Sequence, residues 1–585
     1  MVANKKDGDD DYFAVALTLL WGLVGTILRV IKLGKKPPWT DEFATILYSR
    51  GDDYSSIPIG EILTADSLLA PLKGDPVNGL GQVAELLISQ NNHPPLYFMG
   101  MNVWQRFLPL DEGGYVSIFG VRSPSVIFGI LGIFGIYWVA KWAFSSEIIA
   151  QLAAALMAVS PFAVYLSQEA RHYSLIILWA IASFFFCFYA IQLLIKKRQL
   201  SYRFVISWLV FNCVGLLIHY FFLLTIMGQA IALIWLVRQH QYSRPNTHWF
   251  RFGLVVLGLG IFGLVWKLQV LPDSYGSTMT DWIRLDRTDW FDWIRPSFQL
   301  VNILITMIIL LPIQADSLPI AIISSLIMVV VAIRLVIFWR RGIKIQIQNL
   351  SYQPYIFFLS RFVFSVWGLF MVLTFGFGID ITREARYSFT YFPAVILLLA
   401  LGLSAFWQQE NVTFFGFQKL FRPFSKSGSQ AIALILTISL LGSIVVVQNW
   451  AYQKPYDPEA VLARIQQNPQ PALILTPYKS TVQIGEMMAI AWEKYRQSSP
   501  QPLSFAFIPT RDQPKLYEQN IEALLSKRNL NNSETIQLWT INFFEKLTIK
   551  GCKLSGKNSE KGYYSDVYYC ADVSAKTNAN LDSPQ

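Results

Sequence analysis

Histidine and cysteine are scarce in this chain, five and four among 585 residues. No C-x-x-C pair occurs, which removes the zinc-ribbon and thioredoxin-like readings. Cys187 and Cys213 fall in apolar runs and read as buried small hydrophobes. Cys552 and Cys570 lie in a polar tail, where a disulfide is compatible with an extracytoplasmic compartment. That tail carries no nucleotide-binding loop and no zinc pattern. No small-residue cleavage site follows the first apolar run, so it reads as a retained helix rather than a removed leader. No internal repeat is evident, unlike the many transporters built from inverted repeats.

Apolar side chains, by contrast, make up 53% of the sequence, with a mean hydropathy of +0.39, values that belong to a chain living in lipid. Stretches long enough to cross the hydrocarbon fall near 13–33, 117–139, 148–166, 174–195, 203–219, 221–237, 250–271, 319–339, 355–378, 387–406 and 430–448. Two shorter, Pro-bounded stretches, 94–109 and 298–312, read as interfacial or re-entrant. The net charge of +10 does not mark a nucleic-acid binder, because Lys and Arg sit in short loops between apolar runs. With the N terminus cytoplasmic, the inner loops carry Lys141, Lys196-Lys197-Arg198, Arg238 with Arg244, Arg340-Arg341 with Lys344, and Lys419, Arg422 and Lys426. That alternation requires 94–109 not to cross.

The opposite side then collects the 34–93 loop, the turn 167–173, His219, the 272–297 loop, the turn 379–387 and everything after about 449. Lys32, Lys35, Lys36, Arg383 and Arg386 are basic exceptions on that side, and an anionic ligand is one reason for them. The tail 451–585 alternates strand-like runs (472–476, 503–508, 535–539) with helix-like runs (482–497, 515–528), which predicts a small α/β domain able to bury its own core.

Five places carry chemistry-bearing side chains. Asp41 and Glu42 follow Pro37-Pro38-Trp39-Thr40 at the end of the first span; they suit a general base or metal ligand, and Thr40 or Asp41 suits a helix cap equally well. His93 precedes a Pro pair and Tyr97, a helix start from which it projects or which it merely caps. Ser167-Gln168-Glu169-Ala170-Arg171-His172-Tyr173 is a dense polar turn between apolar helices, expensive beside lipid unless used or self-neutralised. His219-Tyr220 sits at a helix end. Asp380, Arg383, Arg386 and Tyr387 precede a Pro393-containing span; the arginines match a phosphate bidentately or snorkel to headgroups. A divalent metal held by His93 or His219 with Asp41, Glu42 or Glu169 is chemically reasonable.

Taken in order, Thr40-Asp41-Glu42, His93-Pro-Pro-Leu-Tyr97, Ser-Gln-Glu169-Ala-Arg171-His-Tyr173, His219-Tyr220 and Arg386-Tyr387 with Pro393 resemble the polyprenyl-phosphate-dependent glycosyltransferases of the GT-C superfamily. The bacterial branch related to protein O-mannosyltransferases and the lipid A aminoarabinose transferase is the nearest likeness, over roughly residues 13–450. The resemblance implies a mainly α, polytopic bundle of about 11–13 helices with a small extracytoplasmic α/β domain. It implies Asp41 as catalytic base or acceptor-orienting carboxylate, Glu42 as its companion and Glu169 as the second acidic position. The donor would be a sugar on a polyprenyl phosphate and the acceptor a lipid, glycan or protein hydroxyl, in a bacterial plasma membrane. Arg171, Arg383 and Arg386 are then candidates for the lipid phosphate, with His93, His172, Tyr173, His219, Tyr220 and Tyr387 around the substrate. Some relatives use a divalent ion and others none. One departure stands out: the glutamate that the aminoarabinose branch carries before its Pro pair is replaced here by Asn92-His93. A single displacement would invert the anomeric centre, with arginines offsetting charge on the leaving phosphate. The competing class is a transporter or flippase of lipid-linked glycans, which usually carries ionisable groups deep in its helices.

Overall fold

Predominantly apolar helices of 19 to 29 residues set the architecture. The computed structural model describes residues 3–570 except 75–77, 91–92, 240–245, 273–282, 286–288, 316, 411, 413–426, 510–514, 528–534 and 546. Asn92, Arg244, Lys419, Arg422, Lys426, much of the 272–297 loop and residues 571–585 therefore lie outside the described residues. Among those described, seven helices are long and apolar enough to cross a membrane: Tyr12–Val30, Ile118–Phe144, Tyr173–Ile195, Phe250–Val270, Leu318–Gln346, Gln353–Gly376 and Gly428–Val447. Several keep large apolar side chains exposed, as Leu318, Ile320, Ile322, Ile323, Leu326 and Ile327 do in one of them. A surface of that kind is stable only against lipid.

The remaining expected spans are helices of a different kind. Tyr202–Ile218, Phe222–Gln239 and Phe392–Ser404 are shorter apolar helices. The segment expected as one span at 148–166 is instead two helices, Glu147–Val159 and Pro161–Ser167, bent by 56°. Pro161 lacks the amide hydrogen that would carry the helix on, so the chain restarts with Ser160 as cap, its Oγ accepting from the Ala163 amide at 3.3 Å. Pro95–Gln105 has only 11 residues, about 16 Å of helix, too short to cross.

Contacts divide the chain into two compact units. The first, Met1–Leu33, Ala84–Met99 and Arg122–Gln453, contains the apolar helices. The second joins Gly34–Val83 and Gly100–Val121 to Lys454–Gln585. Its core is a six-stranded sheet, β1 (Leu63–Thr64), β2 (Ala472–Tyr478), β3 (Leu503–Pro509), β4 (Ile536–Ile541), β5 (Cys552–Glu560) and β6 (Tyr563–Cys570), ordered β1-β3-β2-β4-β6-β5. β3, β2 and β4 run parallel, linked by the helices Thr481–Arg496 and Lys515–Lys527, while the outer pairs are antiparallel. The tail therefore has the expected α/β character. The first loop adds a strand of its own, because β1 pairs with β3 through Leu63 opposite Phe505. A disulfide joins Cys552 to Cys570, directly opposed on β5 and β6. Cys187 is buried among helices, as expected, and Cys213 half-buried.

Candidate active site

The polar turn 167–173 is held by what the helix break leaves undone. Where the helix stops at Ser160, the carbonyls of Met157 and Ala158 lose the amide partners that a continuing helix would supply. Arg29, wholly buried near the end of the first span, donates to both, Nη2 to Met157 O and Nη1 to Ala158 O, each at 3.1 Å. Its Nε reaches Ser167 Oγ at 3.1 Å. Gln168 Nε2 donates to the carbonyls of Leu28, Arg29 and Ile31 at 3.0–3.3 Å, and Ser125 Oγ donates to Arg171 O at 2.9 Å. The turn is thus tied to the first span from one side and to the Ile118–Phe144 helix from the other. Arg29 was not among the expected site residues, although a lone arginine in an apolar run is itself the signal that would have found it.

On this scaffold Glu169, Arg171, His172 and Tyr173 are each no more than 3% exposed. The first unit gathers more of the expected residues around them. The imidazoles of His172 and His219 lie 4.6 Å apart between ring centroids, and those of His93 and His172 lie 6.1 Å apart. Tyr97 is 5.5 Å from His172, Tyr173 is 5.7 Å from His219, and Tyr387 is 6.5 Å from His219. Arg171 and Arg386 both act electrostatically on His172 and His219. Glu169, Arg386 and Glu384 all lie within electrostatic reach of the Tyr165 hydroxyl, so Glu169 and Arg386 share one neighbourhood.

Burial, then the neighbouring imidazoles and arginines, holds both His172 and His219 well below the ordinary imidazole range. They are neutral at neutral pH. His219 Nδ1 accepts from the Phe221 amide at 3.0 Å, which leaves its proton on Nε2. His172 Nδ1 is buried with no hydrogen-bond partner among the described residues. Arg386 Nε sits 3.4 Å from Glu384, and its guanidinium carbon 5.7 Å from the centre of the Tyr387 ring. Arg383 pairs with Asp380 at 3.5 Å, offsetting the charge of a fully buried carboxylate. Tyr220, next to His219 in sequence, accepts a hydrogen bond from Trp266 Nε1 at 3.3 Å. Glu384, inside the Asp380–Tyr387 segment but given no role there, and Tyr165, outside every motif, join the neighbourhood.

Asp41 and Glu42 belong to the second unit, in the first turn of the helix Thr40–Ser49. Trp39, not Thr40 or Asp41, is the N-cap residue, and it makes no side-chain capping bond. The Thr40 amide instead donates to Tyr456 Oη at 2.6 Å, and the two hydroxyls lie 2.8 Å apart. Tyr456 therefore does the capping, and burial pushes its phenol far above the ordinary range so that it stays neutral. The two carboxylates sit in the first turn, where the helix dipole favours negative charge. Glu42 is buried and Asp41 partly exposed. Among the described residues no three His, Cys, Asp or Glu side chains gather as a metal-ligand set.

Residues 102–266 match the family described as Dolichyl-phosphate-mannose-protein mannosyltransferase. No curated protein matches the sequence. Among solved structures, ArnT from Cupriavidus metallidurans in the apo state aligns over 99% of this chain and 100% of its own, at 11% identity and a TM-score of 0.50. The same protein bound to undecaprenyl phosphate aligns over 98% and 99%, at 11% identity and a TM-score of 0.48. The apo likeness establishes a shared fold over the whole length, and the mannosyltransferase pattern lies within it. Residues 102–266 thus match a mannosyltransferase family, and the chain as a whole has an ArnT-like fold.

Proposed function

We propose that the chain transfers a sugar from a polyprenyl-phosphate donor to an acceptor hydroxyl, in one inverting displacement at the outer face of a bacterial plasma membrane. The observation that carries the reading is the buried gathering of Glu169, Arg171, His172, His219 and Arg386 among apolar helices of a GT-C fold. Two guanidiniums in a water-poor setting suit a phosphate that must leave with an extra negative charge, because fixed donors there outperform water. The apolar helices supply a surface for the prenyl tail. His172 and His219, being neutral, hydrogen-bond without adding charge. Asp41, in the first turn of the helix Thr40–Ser49, takes the acceptor proton or orients the hydroxyl toward the anomeric carbon. The anomeric carbon to phosphate-oxygen bond breaks as the bond to the acceptor oxygen forms. The phosphate keeps the electron pair and the proton passes to the carboxylate. The binding of undecaprenyl phosphate by ArnT supports this class of donor. The Cys552–Cys570 pairing and the distribution of basic loops support an extracytoplasmic second unit.

The test is mass analysis of lipid-linked sugars and glycoconjugates in cells with and without the intact protein. A polyprenyl-phosphate sugar that accumulates while one glycoconjugate loses the same sugar supports the reading. Unchanged glycoconjugates with both pools intact would reject it.

A further inference from the structure

Outside the proposed catalytic residues, the second unit has an open pocket of about 230 Å³ lined by Lys479, Gln483, Glu486, Asn542, Phe544 and Tyr564. Its place in the sheet is telling. Lys479 follows β2, Gln483 and Glu486 lie on the helix Thr481–Arg496 that leaves β2 toward β3, and Asn542 and Phe544 follow β4. β2 and β4 are adjacent and parallel, and the chain leaves their carboxyl ends in opposite directions, β2 toward β3 and β4 toward the β5–β6 hairpin. This is a topological switch point, where open α/β sheets leave a crevice for ligands.

The lining chooses the ligand's chemistry. Switch-point crevices often take phosphate on the amides of a helix N-terminus, but here that end is closed by its own sequence. Ser480 and Gln483 form a capping box, with Ser480 Oγ accepting from the Val482 amide and Gln483 Oε1 accepting from the Ser480 amide at 2.8 Å. Glu486 adds a carboxyl group that would repel an anion. The Glu486 Oε2 atom is buried without a hydrogen-bond partner among the described residues, an unfavourable arrangement that a donor from a ligand would relieve. Phe544 holds its ring 80% exposed beside the pocket, with the Lys479 ammonium 5.8 Å from the ring centre. Gln483 commits its carbonyl oxygen to the cap, leaving its amide nitrogen as a donor.

A carboxyl acceptor, amide and ammonium donors and one flat exposed ring match a molecule with hydroxyls on its rim and C–H groups on its face. We propose that this pocket binds a pyranose ring of a glycan. The volume suits a single ring rather than an oligosaccharide. Binding here is independent of sugar transfer and would stand if the transferase reading fell.

The test uses the full chain in lipid nanodiscs prepared without glycosidic detergent, with empty nanodiscs as blank. Saturation-transfer NMR is recorded with the methyl glycosides of glucose, galactose, mannose and N-acetylglucosamine, and with glycerol as an acyclic control. At least one glycoside should receive saturation where glycerol does not. Its Kd should rise at least tenfold both in Phe544→Ala, which removes a solvent-exposed ring, and in Glu486→Leu. No transfer to any glycoside, equal transfer to glycerol, or a smaller change in Kd in either variant overturns the proposal. A wild-type signal that meets these criteria in a protein inactive in sugar transfer would uphold the pocket and reject only the transferase reading.

Discussion

Replacing Arg29 with methionine should loosen the turn 167–173 without touching any residue placed in the proposed chemistry. The guanidinium is wholly buried and donates to Met157 O, Ala158 O and Gly25 O as well as to Ser167 Oγ, at 3.0–3.1 Å. Methionine keeps the length and apolar stem but leaves the two carbonyls at the Pro161 break without donors. Each unsatisfied buried carbonyl costs roughly 1–3 kcal/mol, partly offset because no charge is then buried. A net loss of about 2–4 kcal/mol in the local stability of 157–172 follows, which should accelerate amide exchange in that segment by roughly 30- to 1000-fold. Hydrogen–deuterium exchange by mass spectrometry on the full chain in nanodiscs reads this directly, with the sheet of the second unit as internal reference. Exchange in 157–172 within threefold of wild type would refute the claim that Arg29 completes the broken helix.

Other expectations follow from the second unit. Burial raises the Glu486 carboxyl from 4.5 to about 7, so the folded protein holds a proton that the unfolded chain gives up earlier. The sign follows: stability is full below pH 4.5, falls between 4.5 and 7, and then levels off, lower by roughly 3 kcal/mol. Glu486→Gln should therefore match wild type near pH 4 and be more stable at pH 8 in denaturant unfolding; equal stability at pH 8 would contradict the burial. A Cβ on Gly485 would lie 2.7 Å from Thr40 Cγ2 and 2.9 Å from Thr40 Cα, so Gly485→Val should force apart the helices Thr481–Arg496 and Thr40–Ser49. Overpacking of this kind costs roughly 1–3 kcal/mol, and transfer should fall at least tenfold while far-UV circular dichroism is retained. Alkylation of the denatured protein should label Cys187 and Cys213 at once and Cys552 and Cys570 only after reduction. Four labelled thiols without reductant would remove the support for an extracytoplasmic second unit.

The apolar helices were legible because a run such as 319–339 or 430–448 has no other stable solvent than lipid. The tail's parallel strands were legible for a similar reason: their central residues are buried on both faces and read as unbroken apolar runs. The β5–β6 hairpin was not, since β5 is a polar edge strand with no buried residue, and β1 is two residues long and exists only through its pairing with β3. The break at Pro161 left its mark in the sequence, but the apolar residues on both sides concealed it. For the site, the motif residues on short turns could be picked out one by one. What no local pattern carries is distance: that His93, His172 and His219 form one cluster depends on three separate helix ends meeting. The capping role expected for Thr40 or Asp41 fell to Tyr456, more than 400 residues away in the chain.

The central claim is sugar transfer dependent on a carboxylate of the first loop. Purified protein in nanodiscs, supplied with polyprenyl-phosphate sugar labelled in the sugar and with a membrane extract as acceptor source, should release polyprenyl phosphate as label passes to a hydroxyl acceptor. Asp41→Asn should lower that rate by roughly 10²–10⁴ with donor binding retained, as loss of a general base does. Transfer by Asp41→Asn at the wild-type rate, or release of donor label to water or across the bilayer with no acceptor modified, would contradict the account.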